Sequence, residues 1–236
     1  MMEEFKNKRT HFSEEEMSKI ENLNIDAITI LDKDYPACLK NIEKPPFVLF
    51  YKGDRSLIND LNYHYLAVVG SRNSTIYGEM MTIKIIKDLP KDTCIVSGLA
   101  KGIDRKAHEE ALKNGLKTIA VLGNGIDVEY PICNKELYKR IPKKGGLIIS
   151  EYPYGVVGTP TSFLVRNRII AGLSKCTLLI ESYDRSGAVN TVNYAIYFGK
   201  NVGCVPSSAI KESNPNKFIK DGAALIENAK DLEGLY

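Results

Sequence analysis

Glycine, serine, arginine and asparagine crowd together at four places in the chain, each directly after a short apolar run. These are Gly70-Ser71-Arg72-Asn73-Ser74, Ser97-Gly98-Leu99-Ala100-Lys101-Gly102-Ile103-Asp104, Gly123-Asn124-Gly125 and Glu181-Ser182-Tyr183-Asp184-Arg185-Ser186-Gly187. Such a mixture suits an anionic ligand. Glycine lets the backbone approach a bulky group closely, and the free amides and dipole of a following helix favour negative charge. Neither Gly-x-Gly-x-x-Gly nor Gly-x-x-x-x-Gly-Lys-Ser/Thr is present, so ATP hydrolysis is not indicated. One loop of this kind is explained equally well as a tight strand-to-helix turn, but four in succession ask for more.

Other residues offer narrower chemistry. Arg166, Asn167 and Arg168 lie near the start of a helical segment, Phe163–Leu173. Residues two apart point in nearly opposite directions on a helix, so one arginine is expected to meet a ligand while the other ties down the scaffold; ion pairs for both are the competing reading. Asp104 and His108, four apart, have the spacing of an acid–base pair, although Asp104 is equally well read as a helix cap. Glu151 and Glu181 end two apolar runs with no nucleophile, second histidine or metal-ligand cluster beside them in sequence, and read as loop anchors. Tyr130, Tyr152, Tyr154 and Phe163 fall in or beside the loops, where aromatic rings stack on bases or simply pack the loop.

These residues need a frame to hold them. From Tyr65 onward, β-branched apolar runs alternate with helix-period segments, the pattern of repeated βαβ units. Strands are expected at Tyr65–Val69, Cys94–Ser97, Lys117–Leu122, Gly146–Ile149, Cys176–Ile180 and Asn201–Val205, starting about 25 to 30 residues apart. Runs such as Leu66–Val69 lack polar alternation, as strands covered on both faces do. The class is α/β, a doubly wound parallel sheet, and in such sheets ligands bind outside the carboxyl ends of the strands, where the four loops fall. Asp104 is expected to cap a helix that Asn114-Gly115 ends. Phe47–Tyr51 reads as a further strand introduced by Pro45-Pro46, and Ser13–Leu23 as a short acidic helix with Ser13 and Glu16 as a capping box.

The bulk properties are compatible and unspecific. At 236 residues, 44% hydrophobic and 26% charged, the chain has room for one full α/β domain and a small appendage. A formal charge of +3 permits an anionic partner without pointing to one. Cys38, Cys94, Cys133, Cys176 and Cys204 form no Cys-x-x-Cys pair and read as reduced core thiols. Residues 1–9 are polar, no stretch is apolar enough to span a bilayer, and a cytoplasmic protein with no membrane contact is expected.

Taken in order, the motifs resemble successive blocks of the DprA/Smf family of DNA-processing proteins. The resemblance rests on Gly70-Ser71-Arg72, on the run Ser97-Gly98-Leu99-Ala100-x-Gly102-Ile103-Asp104-x-x-Ala107-His108-x-x-Ala111-Leu112, on Gly125-Ile126-Asp127-x-x-Tyr130-Pro131-x-x-Asn134-x-x-Leu137, on Ser150-Glu151, on Arg166 to Ser174, and on Ser186-Gly187-x-x-x-Thr191. It implies an extended Rossmann-like domain over residues 45–236, a short N-terminal helical extension over 1–44 and no winged-helix domain. It further implies a homodimer that binds single-stranded DNA and helps load the RecA recombinase in natural transformation and recombination, with no catalytic activity, metal or cofactor. By motif position it suggests Arg72, Lys135, Arg166, Asn167 and Arg168 as DNA contacts, with Ser97, Gly98, Ser186 and Gly187 shaping a phosphate pocket. The chain departs from the family at Leu164, where proline is usual, at Pro206-Ser207 in place of Pro-Gly, and at Asn214-Pro215-Asn216 in place of Gly-x-Asn. The competing function is a small-nucleotide sensor or a nucleotide-processing enzyme related to the phosphoribohydrolases. Their Pro-Gly-Gly-x-Gly-Thr loop is replaced here by residues 184–189.

Overall fold

Successive side chains of one strand face opposite ways, and here both ways are apolar. In β3 (His64–Val69), Leu66 and Val68 pack with Ile85, Ile86, Ile103 and Ala107, whereas Ala67 and Val69 pack with Ile169, Ile170 and Val192. A sheet with two buried faces follows. The computed structural model describes residues 26–183, 186–209 and 212–236. The helix expected at Ser13–Leu23 and the pair Asp184-Arg185 lie outside those residues.

The remaining strands are β1 (Asp26–Thr29), β2 (Val48–Gly53), β4 (Thr93–Ser97), β5 (Lys117–Leu122), β6 (Leu147–Ser150), β7 (Cys176–Leu179), β8 (Asn201–Cys204) and β9 (Ala224–Leu225). They form one sheet in the order β1-β2-β6-β5-β4-β3-β7-β8-β9. From β6 to β9 every pairing is parallel, while β2 runs antiparallel to both β1 and β6. Helices α2 (Ile76–Lys87), α3 (Ile103–Lys113) and α4 (Lys135–Lys143) cover one face, with Leu137, Tyr138 and Ile141 of α4 packing on Ala120, Leu122 and Ile148. Helices α5 (Pro160–Leu173) and α6 (Gly187–Tyr197) cover the other, joined by the short α1 (Ala37–Lys40); α7 (Asn214–Lys220) leads into β9. The chain winds outward from β3 towards β6, then crosses through α5 to β7 on β3's other side. That reversal puts the ligand crevice at the carboxyl ends of β3, β4 and β7.

The doubly wound class and the six core strands stand where the sequence puts them, within a residue at either end. Two features differ. Asp26–Thr29 pairs with β2, and Ile28, Tyr35 and Leu39 are wholly buried, with the Tyr35 hydroxyl donating to the Pro46 carbonyl at 2.5 Å. Residues 26–44 are therefore part of the sheet and its core rather than an extension in front of it. The reason is that β1 buries only one side chain fully, too little for a visible period. The cysteines also divide: Cys94, Cys176 and Cys204 are buried strand thiols, Cys38 is half-buried, and Cys133 is exposed in the 3-10 turn Ile132–Asn134. Cys133 is thus no core thiol, because it falls in the loop between Leu122 and the next helix rather than in a strand.

Candidate functional site

The crevice is built loop upon loop. After β3, the Ser71 amide donates to the Glu181 carbonyl at 2.9 Å, and the Ser71 carbonyl accepts from the Ile103 amide at 3.1 Å, so the loops after β7, β3 and β4 are tied in sequence. Gly102, with φ at 73°, makes the second tie possible, since a β-carbon there would collide with the backbone of Ser71 and Arg72. Leu99 is also left-handed, φ at 53°, although it carries a wholly buried side chain; Asn134 Nδ2 holds that turn by donating to the Leu99 and Ala100 carbonyls at 2.9 and 3.0 Å. The anchor role of Glu181 is plain. Its buried carboxylate accepts from the Thr75 amide at 2.7 Å and the Thr75 hydroxyl at 2.6 Å.

Between these loops lies a cleft of about 420 Å³ lined by Arg72, Asn73, Phe163, Arg166, Asn167, Ser186 and Gly187. A second hollow of about 280 Å³ continues beyond Arg72 and Phe163 to Gly98, Lys101, Asn124 and Tyr130. Arg72 itself is exposed. Its guanidinium lies 5.6 Å over the Phe163 ring, and Phe163 stacks on the half-exposed Tyr130 with centroids 5.4 Å apart. The three form a wall between the two hollows, a cation and two π-faces in line. Phe163 is held by the first turn of α5, where Thr159 and Ser162 cap one another reciprocally and Ser162 Oγ donates to the Gly123 carbonyl at 2.6 Å.

Arg166 reaches the cleft from inside the protein. Only 4% exposed, it donates through Nη1 to the carbonyls of Gly98 (2.8 Å) and Val121, and through Nε to Asn167 Oδ1 at 3.2 Å. Nη2 has no hydrogen-bond partner among the described residues, and it would lie 2.7 Å from a β-carbon placed on Gly98, which explains the glycine there. Burial pushes its pKa down to about 10, opposed by the Asp104 carboxylate. Asp104 does not cap α3. Gly102 holds the cap position, and the Asp104 carboxyl turns inward to accept from the Gly98 amide at 3.2 Å; burial pushes its pKa up, against the Arg166 charge and the amides of Ala100 and Gly98. The carboxylate is thus held inside the protein by the Gly98 and Ala100 amides and by the nearby Arg166 charge rather than at the helix start.

On the far side of the cleft Ser186 caps α6, its hydroxyl oxygen accepting from the Ala188 amide at 3.3 Å, and Gly187 opens the helix with nothing crowding its absent side chain. Asn167 Nδ2 donates to the Gly187 carbonyl at 3.1 Å and so ties the start of α6 to α5. The cleft therefore gathers Arg72, Arg166, Asn167, Ser186 and Gly187, with Gly98 at its inner edge. Three expected residues lie elsewhere. Ser97 is wholly buried and donates to the Val68 carbonyl at 2.7 Å, because the last residue of a covered strand faces a neighbouring strand. Arg168 pairs with Glu151 at 2.5 Å and donates to the Lys44 carbonyl at 2.8 Å, the scaffold partner of the two arginines. Lys135 is exposed at the start of α4 and pairs with Glu129 at 3.1 Å.

The acid–base reading of Asp104 and His108 fails on geometry. Thr118 donates its hydroxyl to the Ile95 carbonyl at 2.9 Å and so accepts from His108 Nδ1 at 2.7 Å; the imidazole is sealed from water, and burial with the Arg166 charge lowers its pKa to about 3. Such a histidine is a packed neutral ring. Among the described residues no group of histidine, cysteine and carboxylate side chains is arranged to hold a metal ion. Of the departures from the motif, Leu164 lines the cleft and is exposed, Ser207 exchanges hydrogen bonds with Asn216 at 2.9 and 2.8 Å, and Asn214 donates to Ser182 at 2.9 Å, so asparagine and serine side chains hold the turns where glycine is usual. Sequence reading missed the buried Asp104–Arg166 apposition; the only signal was two charges, each inside an apolar helical period.

Comparison with known proteins points one way. A sequence model of the family described as DNA recombination-mediator protein A matches residues 26–235. The DNA processing protein DprA of Streptococcus pneumoniae is 41% identical over 208 residues, 87% of this chain and 72% of that protein. Protein Smf of Synechocystis is 42% identical over 225 residues, 94% of this chain and 55% of the relative. Among solved structures, the Streptococcus pneumoniae DprA gives a TM-score of 0.84 at 40% identity over 94% of this chain and 77% of its own. The DNA processing protein A of Helicobacter pylori, described for its single-stranded DNA binding mode, gives 0.79 at 28% identity over 89% of this chain and 94% of its own.

Proposed function

Because the chain belongs to the DNA recombination-mediator protein A family, we propose that it binds single-stranded DNA in the cleft over β3, β4 and β7 and serves DNA processing in transformation and recombination. The observation that carries the reading is the two arginines that meet at the cleft: Arg166, buried in its lining, and Arg72, exposed on an aromatic stack. A phosphate received by Arg166 and by the amino end of α6 gains charge-assisted hydrogen bonds in a desolvated setting. Bases flanking it find the Tyr130–Phe163 wall, which stacks on any base and reads no sequence. Among the described residues no helix is offered at the cleft to enter a groove and read base edges, so duplex grooves are not the target.

The protein acts without a catalytic step, as a homodimer that protects incoming single strands and hands them to the RecA recombinase. That role belongs in the cytoplasm; no helix among the described residues is long and apolar enough to cross a membrane. Fluorescence anisotropy with matched single-stranded and duplex oligonucleotides over a salt series tests the reading. The single strand is expected to bind more tightly, with log affinity falling against log salt by about 0.7 per phosphate neutralised. Equal affinity for the duplex overturns it. If a free mononucleotide instead raises the melting temperature while no strand binds, the small-nucleotide reading takes its place.

A further inference from the structure

Helix α4 begins at the rim of the cleft and runs away from it. Asn134, just before it, grips the Leu99 and Ala100 carbonyls, and Tyr138 within it donates its hydroxyl to the Tyr130 carbonyl at 2.9 Å, so the helix is fixed to the site's wall. Its inner face, Leu137, Tyr138 and Ile141, is buried. Its outer face is basic: Lys135, Lys139, Arg140, Lys143 and Lys144 are all exposed, against the single acid Glu136. The charge on that one short segment exceeds the +3 of the whole chain, which makes it a local concentration rather than a sample of the surface.

The spacing is regular. Lys135, Lys139 and Lys143 follow one another every four residues, about 6 Å apart along the axis, with Arg140 and Lys144 forming a parallel row. Lys135 and Lys139 each face a carboxylate, Glu129 at 3.1 Å and Glu136 at 3.7 Å. Arg140, Lys143 and Lys144 have no ion pair or side-chain hydrogen bond among the described residues. Cations near a helix carboxyl terminus are favoured by the dipole, which accounts for the last turn but not for Lys135 at the start or Lys139 in the middle.

We infer that the outer face of α4 is a phosphate track that carries a single strand onward from the cleft, with Lys139, Arg140, Lys143 and Lys144 neutralising successive phosphates. The inference rests on the single-strand reading of the cleft and extends it. The test compares wild-type protein with an R140Q/K143Q/K144Q variant against a thymidine hexamer, which fills only the cleft, and a thymidine 20-mer, by anisotropy over a salt series. For the 20-mer the variant is expected to lose about tenfold in affinity at low salt and to show a salt slope shallower by about 2, some 0.7 for each of three lost contacts. The hexamer should bind both proteins alike. An R140K/K143R/K144R variant, which keeps the charge, should restore the 20-mer, and thermal melts report whether each variant folds. A folded triple-glutamine variant with unchanged 20-mer affinity and slope overturns the track, as does an equal loss for both oligonucleotides. Wild-type protein that binds neither oligonucleotide overturns the single-strand reading itself and the track with it, whereas a bound hexamer with no added salt slope for the 20-mer overturns the track alone.

Discussion

Arg166 and Arg168 stand two residues apart on α5, and both are withdrawn from water, at 4% and 5% exposure, yet only Arg166 lines the cleft. Their opposite directions on a helix decide this, and the consequences separate by experiment. Arg168→Met removes the ion pair with Glu151 and the bonds to the Lys44 and Val165 carbonyls, and should cost about 1.5–3 kcal/mol of stability while leaving the folded protein's DNA affinity unchanged. Exposed Arg72 should behave in the reverse way: Arg72→Ala weakens single-strand binding by about 1.5–3 kcal/mol with no loss of stability, and Arg72→Lys recovers part, because lysine keeps the charge but not the planar fork. Urea unfolding and anisotropy on the two variants check both outcomes; normal DNA affinity in folded Arg72→Ala removes Arg72 from the site. His108 gives a third test. In the unfolded chain its ring takes up a proton below about pH 6.5, whereas in the fold it stays neutral down to about 3. The unfolded state binds more protons in that window, so stability falls as the pH drops through it, by up to about 1.4 kcal/mol per unit. His108→Gln should flatten the dependence of urea midpoints between pH 7 and pH 5, and an unchanged slope would contradict the burial. Little of this was legible beforehand: residue types gave the anion preference, but whether a charge is buried depends on what another element brings to it.

At the scale of elements the sequence was far more readable, since strand and helix periods are local properties. The loops were the exception. The helix after β4 was expected to start on an Asp104 cap; instead Gly102 bends back against Ser71, and Asp104 serves the interior. A capping aspartate and an inward-facing one have the same neighbours in sequence, so only the partner, Arg166 from sixty residues away, tells them apart. The loop-to-loop tie is the element on which the cleft depends. Gly102→Ala puts a side chain at φ 73° and into the backbone of Ser71 and Arg72. The strain alone costs of order 1–3 kcal/mol. If the loop yields rather than the fold, Arg72 shifts off the Phe163 ring. The expected outcome is a lower urea midpoint together with DNA affinity reduced at least as far as in Arg72→Ala; a variant with wild-type binding would show that the two loops need not touch.

The molecule as a whole is one nine-stranded sheet whose ligand cleft lies along a single edge. Its parallel core was legible because six strands announce themselves by unbroken apolar runs. The antiparallel edge at β1 and the two-residue β9 were not, because each gains its place from the neighbour it pairs with rather than from its own pattern. That single edge sets a limit on binding. One cleft holding a short stretch of strand can retain it only weakly, whereas two clefts linked in a homodimer convert the second binding event into an intramolecular one, with an effective concentration in the millimolar range when the strand can span both. Avidity then adds 10²–10⁴-fold without any new contact. The expected outcome is a dimer in sedimentation velocity at micromolar concentration, and an affinity for strands of forty or more nucleotides that collapses towards the 20-mer value as the protein is diluted into monomers. The comparison must be made at fixed salt, since each added phosphate contact steepens the salt dependence by itself. A protein that sediments as a monomer and still holds strands of forty or more nucleotides far more tightly than the 20-mer would mean that one chain's own surface provides contacts beyond α4, and the dimer would have no part in retaining DNA.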